Sequence, residues 1–403
     1  MIMKMKIMTH FCNCAVLALL SLAACTEIPG DKSKPEWKES ASGVWEISVG
    51  KPEKLNLLSE LGLHPKWDAI NAMPKADLPV DRDEIRFEEV DGKTYIRFPL
   101  DKGEKIFGLG LNFKTVEQRG RILELHVDHY GGKDNGRTHA PVPFFVFSKG
   151  YGAFINSARY IKAYVGTGVR KDTKNPPEVQ DRNTDPGWSA QPYSDNLEFL
   201  VPAEGVEVVL FAGQDMQDVV RRFNLFNGGG VLPPKWGLGF WHRVPTLFTD
   251  RQVQDEIAEF RKRGFPLTVI GLEPGWMSRA YPCTYEWDAT RFPEPGKFVN
   301  DLLQKHIRTN LWFNPGVSPE CEIRDAIEPY TASHTEWNGL IPDYRMPEAR
   351  RIMLDHFKKH QLDMGVSGYK MDENDGYDNW LWPDVATFPS GTPAEQMRQI
   401  YGS

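Results

Sequence analysis

The chain has 403 residues, enough for two or three domains and a sizeable buried core. Its net charge is −7 at pH 7 and no block of Lys and Arg stands out, which argues against a nucleic-acid partner. The 35 Gly and 30 Pro residues indicate many turns, and the 12% aromatic content suits either a core or flat binding surfaces.

The first 25 residues have the features of an export signal. A short basic stretch precedes an apolar run, residues 15–22, which is too short to span a bilayer as a mature helix. The run ends in Leu-Ala-Ala-Cys, which resembles the lipobox of bacterial lipoproteins and implies that Cys25 is lipidated. We therefore expect a signal peptide over 1–25, a linker over 26–42, and an exported protein that a lipid anchor holds at the outer membrane or in the periplasm. A plain secretory signal is the alternative.

Residues 43–215 show the pattern of a β domain. Short alternating runs of apolar and polar residues are separated by turn signals such as Lys149-Gly150. The runs 143–147 and 152–156 flank that turn as the two strands of a hairpin would. Many strands at close spacing with little helix predict a β-sandwich, interrupted by a long Pro- and Asp-rich loop at 172–192.

After a connecting segment at 216–234, which begins with a helical pattern at 216–226, strands alternate with helices over 235–403. The predicted strands are 236–241, 267–272, 308–313 and 368–371, and the predicted helices are 298–306, 347–360 and one that Asp250 caps and Gly264 stops. Four such units predict the first half of a (β/α)8 TIM barrel, which needs about 250 residues in full. A complete doubly wound sheet fits less well, because no Gly-rich phosphate loop opens a helix.

Two carboxylates follow predicted barrel strands directly, where barrel active sites collect. Glu273 ends the second strand in Glu-Pro-Gly-Trp, and Asp372 ends the fourth. Lys370, two residues before Asp372, lies on the same side of that strand, where its charge would keep the carboxylate ionised, as a nucleophile requires. The acidic run from Asp372 to Asp378 could instead be a solvated turn or a calcium loop, and Glu273 could simply cap the following turn.

The remaining candidate residues are aromatic, basic or sulfur-containing. Three tryptophans at or near strand ends could pack in the core or stack on a ligand: Trp241, Trp276 and Trp312. His242-Arg243, after the first barrel strand, is a weaker candidate. Cys283 and Cys321 are too few for a disulfide framework and too isolated for a zinc site, and the sequence leaves open whether they pair.

These residues carry a resemblance to glycoside hydrolase family 31. The segments 234–241, 273–276 and 368–375 stand in that family's order, and 106–156 resembles its galactose-mutarotase-like N-terminal β-sandwich. The resemblance implies retaining hydrolysis of α-glycosides in an oligosaccharide, without metal or cofactor and with Asp372 as nucleophile. The substrate-binding candidates are Glu273, Trp312 and Lys370, which match the sugar pocket, together with Trp241 and Trp276.

Two departures from the family pattern shape the prediction. Many α-glucosidases and α-xylosidases of the family carry Asp where this sequence has Glu273, so the sequence looks more like the branch that contains bacterial α-galactosidases. We therefore favour an α-galactosidase, with α-glucosidase or α-xylosidase as the alternative. The family's acid/base Asp follows a later barrel strand, which places it beyond Ser403 and implies a truncated enzyme. The competing hypotheses are a non-catalytic fragment, a carbohydrate-binding surface lipoprotein and a calcium-dependent adhesion module, and the oligomeric state is open.

Overall fold

The computed structural model of the protein describes residues 35–128, 134–190, 193–374 and 381–401. The predicted signal peptide and the lipidation site at Cys25 lie outside these ranges, as do Asp375 and Asp378 of the acidic run. The localisation and the lipid anchor therefore stay predictions. Within these ranges, no helix has the length and apolar character that crossing a bilayer requires.

The N-terminal half forms two antiparallel sheets. Their strands are β1 (Lys38–Ala41), β2 (Val44–Gly50), β3 (Arg86–Val90), β4 (Lys93–Pro99), β5 (Ile106–Gly108), β6 (Arg121–Leu125), β7 (Phe144–Phe147), β8 (Tyr151–Asn156), β9 (Ile161–Val165), β10 (Asn196–Val201) and β11 (Gly205–Ala212). One sheet has the order β1-β2-β11-β8-β7-β5 and the other β3-β4-β10-β9-β6. The predicted β-sandwich and its hairpin β7–β8 are confirmed.

The two sheets share one apolar core, in which aromatic rings bridge from sheet to sheet. The ring centroid of Phe145, on β7, lies 5.3 Å from that of Phe98 on β4 and 4.8 Å from that of Phe199 on β10. Each such ring contributes about 2 kcal/mol to folding through its burial. The sandwich begins earlier than predicted, because β1 lies in the expected linker; an edge strand needs no apolar alternation, so its polar sequence does not announce it.

Three helices, α1 (Leu57–Leu61), α2 (Trp67–Asn71) and α3 (Met216–Phe226), accompany the six-stranded sheet. α3 has the predicted bounds, and the Asp215 side chain caps its first turn. Buried residues of α2 and α3, such as Ile70 and Phe226, join Phe211 of β11 in a second apolar cluster. This layer closes the outer face of the sandwich.

The C-terminal half contains a parallel sheet, three longer helices, a hairpin and two short helices. The elements are β12 (Phe240–Arg243), α4 (Asp250–Lys262), β13 (Leu267–Leu272), α5 (Pro295–Gln304), β14 (Arg308–Phe313), α6 (Arg324–Ile327), β15 (Thr331–Glu336), β16 (Gly339–Pro342), α7 (Pro347–His360), β17 (Gly368–Met371) and α8 (Ala394–Ile400). The parallel strands follow one another in chain order, β12-β13-β14-β17. A doubly wound sheet reverses this order at a switch point and a barrel does not, so the arrangement agrees with the predicted barrel.

Several predicted boundaries were wrong for local reasons. Residues 235–238 form a short 3-10 helix, so β12 begins only at Phe240. Thr249 rather than Asp250 caps α4, in a capping box with Gln252. α5 begins earlier than predicted, at Pro295, because proline suits the first turn of a helix.

No sequence pattern predicted the hairpin β15–β16, which is inserted between β14 and α7. Its turn, Trp337-Asn338, has φ values of 47° and 63°, the left-handed region that a two-residue hairpin turn demands. The last described segment also ties the two halves together, since the Gln399 side chain bonds the backbone of Leu125 and Val127, each at 2.9 Å. From Glu36 onward the described chain is one compact unit.

Candidate active site

The parallel sheet of β12, β13, β14 and β17 has one apolar and one polar face. The apolar face carries Ile270, Leu272, Leu311, Phe313 and Tyr369, which pack with residues of α4, α5 and α7. The polar face carries Arg243, Asn310, Trp312 and Lys370. Register places Gly271 between Arg243 and Asn310 on neighbouring strands, and sets Lys370 beside Trp312. A polar side chain that is buried without a partner costs free energy. The polar side chains of this face therefore need hydrogen-bond or ion-pair partners.

Asp372 stands immediately after β17 on the polar face. Its Oδ2 accepts the indole N–H of Trp312 at 2.7 Å and the ammonium of Lys370 at 2.9 Å. Its Oδ1 accepts the Glu373 backbone N–H at 3.2 Å, and its backbone N–H reaches the Phe313 carbonyl at 3.0 Å. The carboxylate is thereby fixed in orientation while 36% of the side chain stays exposed.

These contacts set the charge of Asp372. Burial alone raises the pKa of the carboxyl, but the hydrogen bonds from Lys370 and Trp312 outweigh it and hold the pKa of Asp372 below its usual value. The group is therefore ionised at neutral pH. An ionised, oriented and accessible carboxylate at the carboxyl end of a barrel-type strand can act as a nucleophile.

Glu273 lies on the same face and pairs with Arg243. The guanidinium of Arg243 donates to the Glu273 carboxylate and, at 2.9 Å each, to the Asn310 side chain and the Leu272 carbonyl. Glu273 occupies the cap position of the turn at 274–276, but its side chain makes no capping bond. The capping alternative is therefore wrong, and the carboxylate belongs to the polar network of the site.

Two glycines make this network possible. A Cβ on Gly271 would meet the Arg243 side chain at 2.6 Å, so glycine lets the guanidinium cross β13 towards Asn310. A Cβ on Gly275 would meet the Thr246 carbonyl at 1.9 Å, so only glycine lets the loop after β12 approach the turn. The Glu-Pro-Gly-Trp motif thus mainly allows the turn to pack against the loop after β12, and this packing places Glu273 on the polar face.

Residues that the sequence analysis missed surround Asp372. Glu373 has a φ of 62°, and burial, together with the nearby charge of Asp372, raises its pKa. Its carboxylate accepts the Tyr281 hydroxyl at 3.3 Å. The Tyr281 ring lies 5.4 Å from both the Trp312 and the Trp337 rings, measured between centroids. Tyr281 and Trp337 come from loops remote in sequence, so no local pattern could have identified this aromatic wall.

Glu336 at the end of β15 is a second carboxyl with an unusual environment. It is buried, and neither carboxylate oxygen has a hydrogen-bond partner. Burial and, secondarily, the charge of Glu373 raise its pKa to about 8. Glu336 is therefore held neutral behind the site.

Two of the predicted substrate-binding tryptophans, Trp276 and Trp241, have different surroundings from Trp312. Trp276 is only 1% exposed, donates its indole N–H to the Trp312 carbonyl at 2.7 Å and packs edge-on against Trp287. Trp241 pairs with Val269, which pairs with Arg308, four residues before Trp312. At about 3.3 Å per residue, the position of Trp241 along the sheet is therefore roughly 13 Å from that of Trp312, near the carboxyl end. That these two rings stack on a sugar stays a prediction, and the burial of Trp276 argues against it.

Replacement of Trp276 by Phe tests its assignment to the core. The indole hydrogen bond disappears and the Trp312 carbonyl is left unpaired, so the free energy of unfolding should fall by roughly 2 kcal/mol. The KM for any substrate that binds at the polar face should change less than about threefold, since no ring surface on that face is lost. Chemical denaturation and steady-state kinetics measure the two effects.

Trp241→Phe is the matched control, because 43% of that residue is exposed. Its effect on stability should stay below about 1 kcal/mol. A large rise in KM for Trp276→Phe without loss of stability would contradict the core assignment.

Other predicted candidates fall outside the polar face. The His242 ring turns to the opposite side of β12, with Nε2 3.2 Å from the Glu256 carboxylate of α4. Cys283 and Cys321 are both buried free thiols and do not pair. A cavity of about 740 Å³ lies on the apolar face, lined by Met371, Phe357 and Tyr401 among others, on the other side of the sheet from Asp372.

Comparison with known proteins connects this architecture to one family. The model described as the glycosyl hydrolase 31 N-terminal galactose mutarotase-like domain matches residues 31–162, and that of the glycosyl hydrolases family 31 TIM-barrel domain matches 230–403. An α-xylosidase of Emericella nidulans is 25% identical over 300 residues, which are 71% of this chain and 35% of the relative. An α-glucosidase of Saccharolobus solfataricus is 23% identical over 354 residues, 83% of this chain and 46% of the relative.

A solved structure shares the fold. The family 31 dextranase of Flavobacterium johnsoniae, complexed with glucose, superimposes with a TM-score of 0.69 at 17% identity, covering 93% of this chain and 49% of the dextranase. The chain thus spans between a third and a half of the length of these proteins. The N-terminal mutarotase-like domain and the barrel domain after it are the two parts that the likeness includes.

Proposed function

Because the chain belongs to glycoside hydrolase family 31, we propose that it is a retaining exo-α-glycosidase that cleaves oligosaccharides with Asp372 as nucleophile. The observation that carries this proposal is the carboxylate of Asp372 at the strand end, held ionised by Lys370 at 2.9 Å and Trp312 at 2.7 Å. Oδ2 takes both donors, and Oδ1 has a single backbone contact among the residues that the structure describes.

In this mechanism a carboxylate oxygen of Asp372 attacks the anomeric carbon as the bond to the leaving oxygen breaks. A carboxylic acid about 5–5.5 Å away gives its proton to that oxygen, and the same group later takes a proton from the water that displaces Asp372. Two inversions at the carbon retain its configuration. We assign the acid/base role to no described residue, since Glu373 adjoins the nucleophile and binds Tyr281, and Glu336 is buried.

The sugar specificity belongs to this proposal as well. The relatives compared above are named α-xylosidase and α-glucosidase, and these names favour an α-xyloside or an α-glucoside over the α-galactoside that Glu273 suggested. Glu273 remains the specific difference, because the resemblance places Asp there in many enzymes of those two activities. The Glu273 side chain is one methylene longer than that of Asp, and its carboxylate pairs with Arg243 on the polar face of the sheet. It therefore takes up more space on that face than Asp would.

A panel of nitrophenyl α-xyloside, α-glucoside and α-galactoside tests the reaction class. We expect turnover of at least one of them, and NMR should show the α-anomer of the sugar as the first product. A β-anomer formed first would contradict the retaining mechanism. Sugar binding without turnover would favour the carbohydrate-binding alternative.

Glu273→Asp tests the specificity argument. The shorter side chain should retreat from Arg243 and raise the kcat/KM ratio of α-glucoside or α-xyloside over α-galactoside by roughly tenfold, equivalent to about 1.4 kcal/mol. The matched control is Glu256→Asp, the same chemical change on the apolar side of β12. An unchanged ratio would show that Glu273 does not discriminate between these sugars.

A further inference from the structure

The C-terminal part of α7 carries two histidines one helical turn apart. His356 and His360 occupy positions i and i+4 and so share one face of the helix. Glu322, which precedes α6, places Oε1 3.1 Å from His356 Nδ1 and 2.8 Å from His360 Nε2. The three side chains thus offer ligand atoms that all lie within 4.8 Å of one another.

The protonation of His356 decides what Glu322 faces. Its side chain is fully buried, with Nε2 3.1 Å from the Thr284 carbonyl oxygen and Nδ1 3.1 Å from the Glu322 carboxylate. A neutral imidazole has a single N–H. With that proton on Nδ1, Nε2 can accept the Cys321 thiol at 3.8 Å. With the proton on Nε2, Nδ1 directs its lone pair at the Glu322 carboxylate, and a cation bound between the two removes the repulsion.

We propose that Glu322, His356 and His360 bind a zinc ion. With Nε2–H of His356 donated to the Thr284 carbonyl, Nδ1 is free to coordinate, and a metal-bound histidine commonly makes such an outer bond to a backbone carbonyl. Tetrahedral zinc with bonds of about 2.0–2.1 Å sets its ligand atoms roughly 3.3 Å apart. The Oε1 atom of Glu322 lies at similar distances, 3.1 Å and 2.8 Å, from the two imidazole nitrogens. Glu322 is 41% exposed, so water can supply the fourth ligand and the ion has an entry path.

A second group, Glu286, Cys321 and His356, also converges but is explained without an ion. The Cys321 thiol donates to the Thr284 carbonyl at 3.2 Å, and the residue is buried. Its side of the imidazole therefore has both a proton donor and an acceptor in place. On the other side, Nδ1 faces the Glu322 carboxylate, which is an acceptor.

Lys359 gives the proposal a distinctive consequence. Its ammonium lies 2.8 Å from both carboxylate oxygens of Glu322 and competes with a metal for the same charge. Removing this cation should tighten zinc binding, whereas a purely structural cluster of hydrogen bonds would only be weakened by the loss. The ion would also brace α7, whose Phe357 packs against Phe313 and Tyr369 on the apolar face.

Isothermal titration of the metal-stripped protein with zinc chloride tests the site. We expect one zinc per chain with a dissociation constant of about 1 μM or below. Glu322→Gln and His360→Gln should each weaken binding at least tenfold, and Lys359→Gln should strengthen it several-fold. Cobalt in place of zinc should give the visible absorption of a tetrahedral site.

His334→Gln and Cys321→Ser are the controls and should leave the zinc affinity unchanged. Circular dichroism confirms that each variant is folded, which is safest for the partly exposed His360 and Glu322. No zinc binding by the unaltered protein would overturn the proposal. A loss of affinity in Cys321→Ser equal to that in His360→Gln would also overturn it, in favour of the other group.

Discussion

Replacement of Asp372 by Ala is expected to lower kcat/KM at least roughly 10⁴-fold, because the covalent intermediate can no longer form. The structure gives a physical reason for placing the whole effect on this residue. Two donors, Lys370 and Trp312, converge on one of its oxygens. Hydrogen bonds of this kind are strongest to an ionised carboxylate, so they favour the charged form of Asp372. Steady-state kinetics on the most rapidly cleaved nitrophenyl glycoside measure the loss.

Azide provides a sharper test of the same residue. In the Ala variant the small anion can occupy the vacated space, attack the anomeric carbon once, and leave a glycosyl azide of inverted configuration. Asp355→Ala is the matched control, because that carboxylate is exposed on α7 and pairs only with Arg351. Undiminished activity in Asp372→Ala would refute the assignment of the nucleophile and, with it, the proposed mechanism.

Replacement of Lys370 by Met should have the second largest effect, a fall in kcat/KM of roughly 10²-fold at neutral pH. The half-buried Asp372 would lose the positive charge 2.9 Å from Oδ2 that favours its ionised form. Trp312→Phe removes the indole N–H alone and should cost roughly tenfold. Lys262→Met, at the exposed end of α4, is the control and should leave the rate unchanged.

The pH dependence of Lys370→Met has a definite sign. In the unaltered protein, hydrogen bonds from Lys370 and Trp312 overcome burial and lower the pKa of Asp372. Without Lys370, the effect of burial is offset less, so the pKa of Asp372 rises. The acidic limb of the kcat/KM profile must then move to higher pH. The lowered pKa also stabilises the folded protein at pH values above the unfolded-state pKa. This stabilisation is lost as pH falls through the folded-state pKa, and it should be smaller in the variant. An acidic limb at unchanged pH would show that Lys370 acts only on substrate.

Much of the barrel half was predictable because its signals are local. The strands 267–272, 308–313 and 368–371 and the helix 347–360 have the predicted bounds. The strand 267–272 is a largely apolar run, as is typical of a buried parallel strand, and a helix that buries one face repeats its apolar residues every three to four positions. The early boundary of the sandwich and the hairpin β15–β16 were not predicted, because β1 is a polar edge strand and β15 has Ala332 as its one apolar residue.

The residues of the candidate site likewise include some that local sequence patterns predict and some that only packing reveals. Asp372, Lys370 and Glu273 could be identified because each stands at, or two residues before, the end of a strand. Trp276 and Trp312 could not be told apart by that criterion, since both lie near strand ends and both are buried. Only packing shows that the Trp312 indole reaches Asp372 whereas the Trp276 indole bonds a carbonyl.

Local sequence patterns were enough to predict the order of strands and helices, the family likeness and an ionised carboxylate at a strand end. They did not predict which side chains meet: Arg243 and Asn310 across Gly271, Tyr281 and Glu373 beside Asp372, and Glu322 and His356 elsewhere in the domain. The physical reason is one of range. Periodicity and capping act over a few residues, whereas these partners, 34 to 92 positions apart, meet only when the chain packs, and their contacts set charge and orientation.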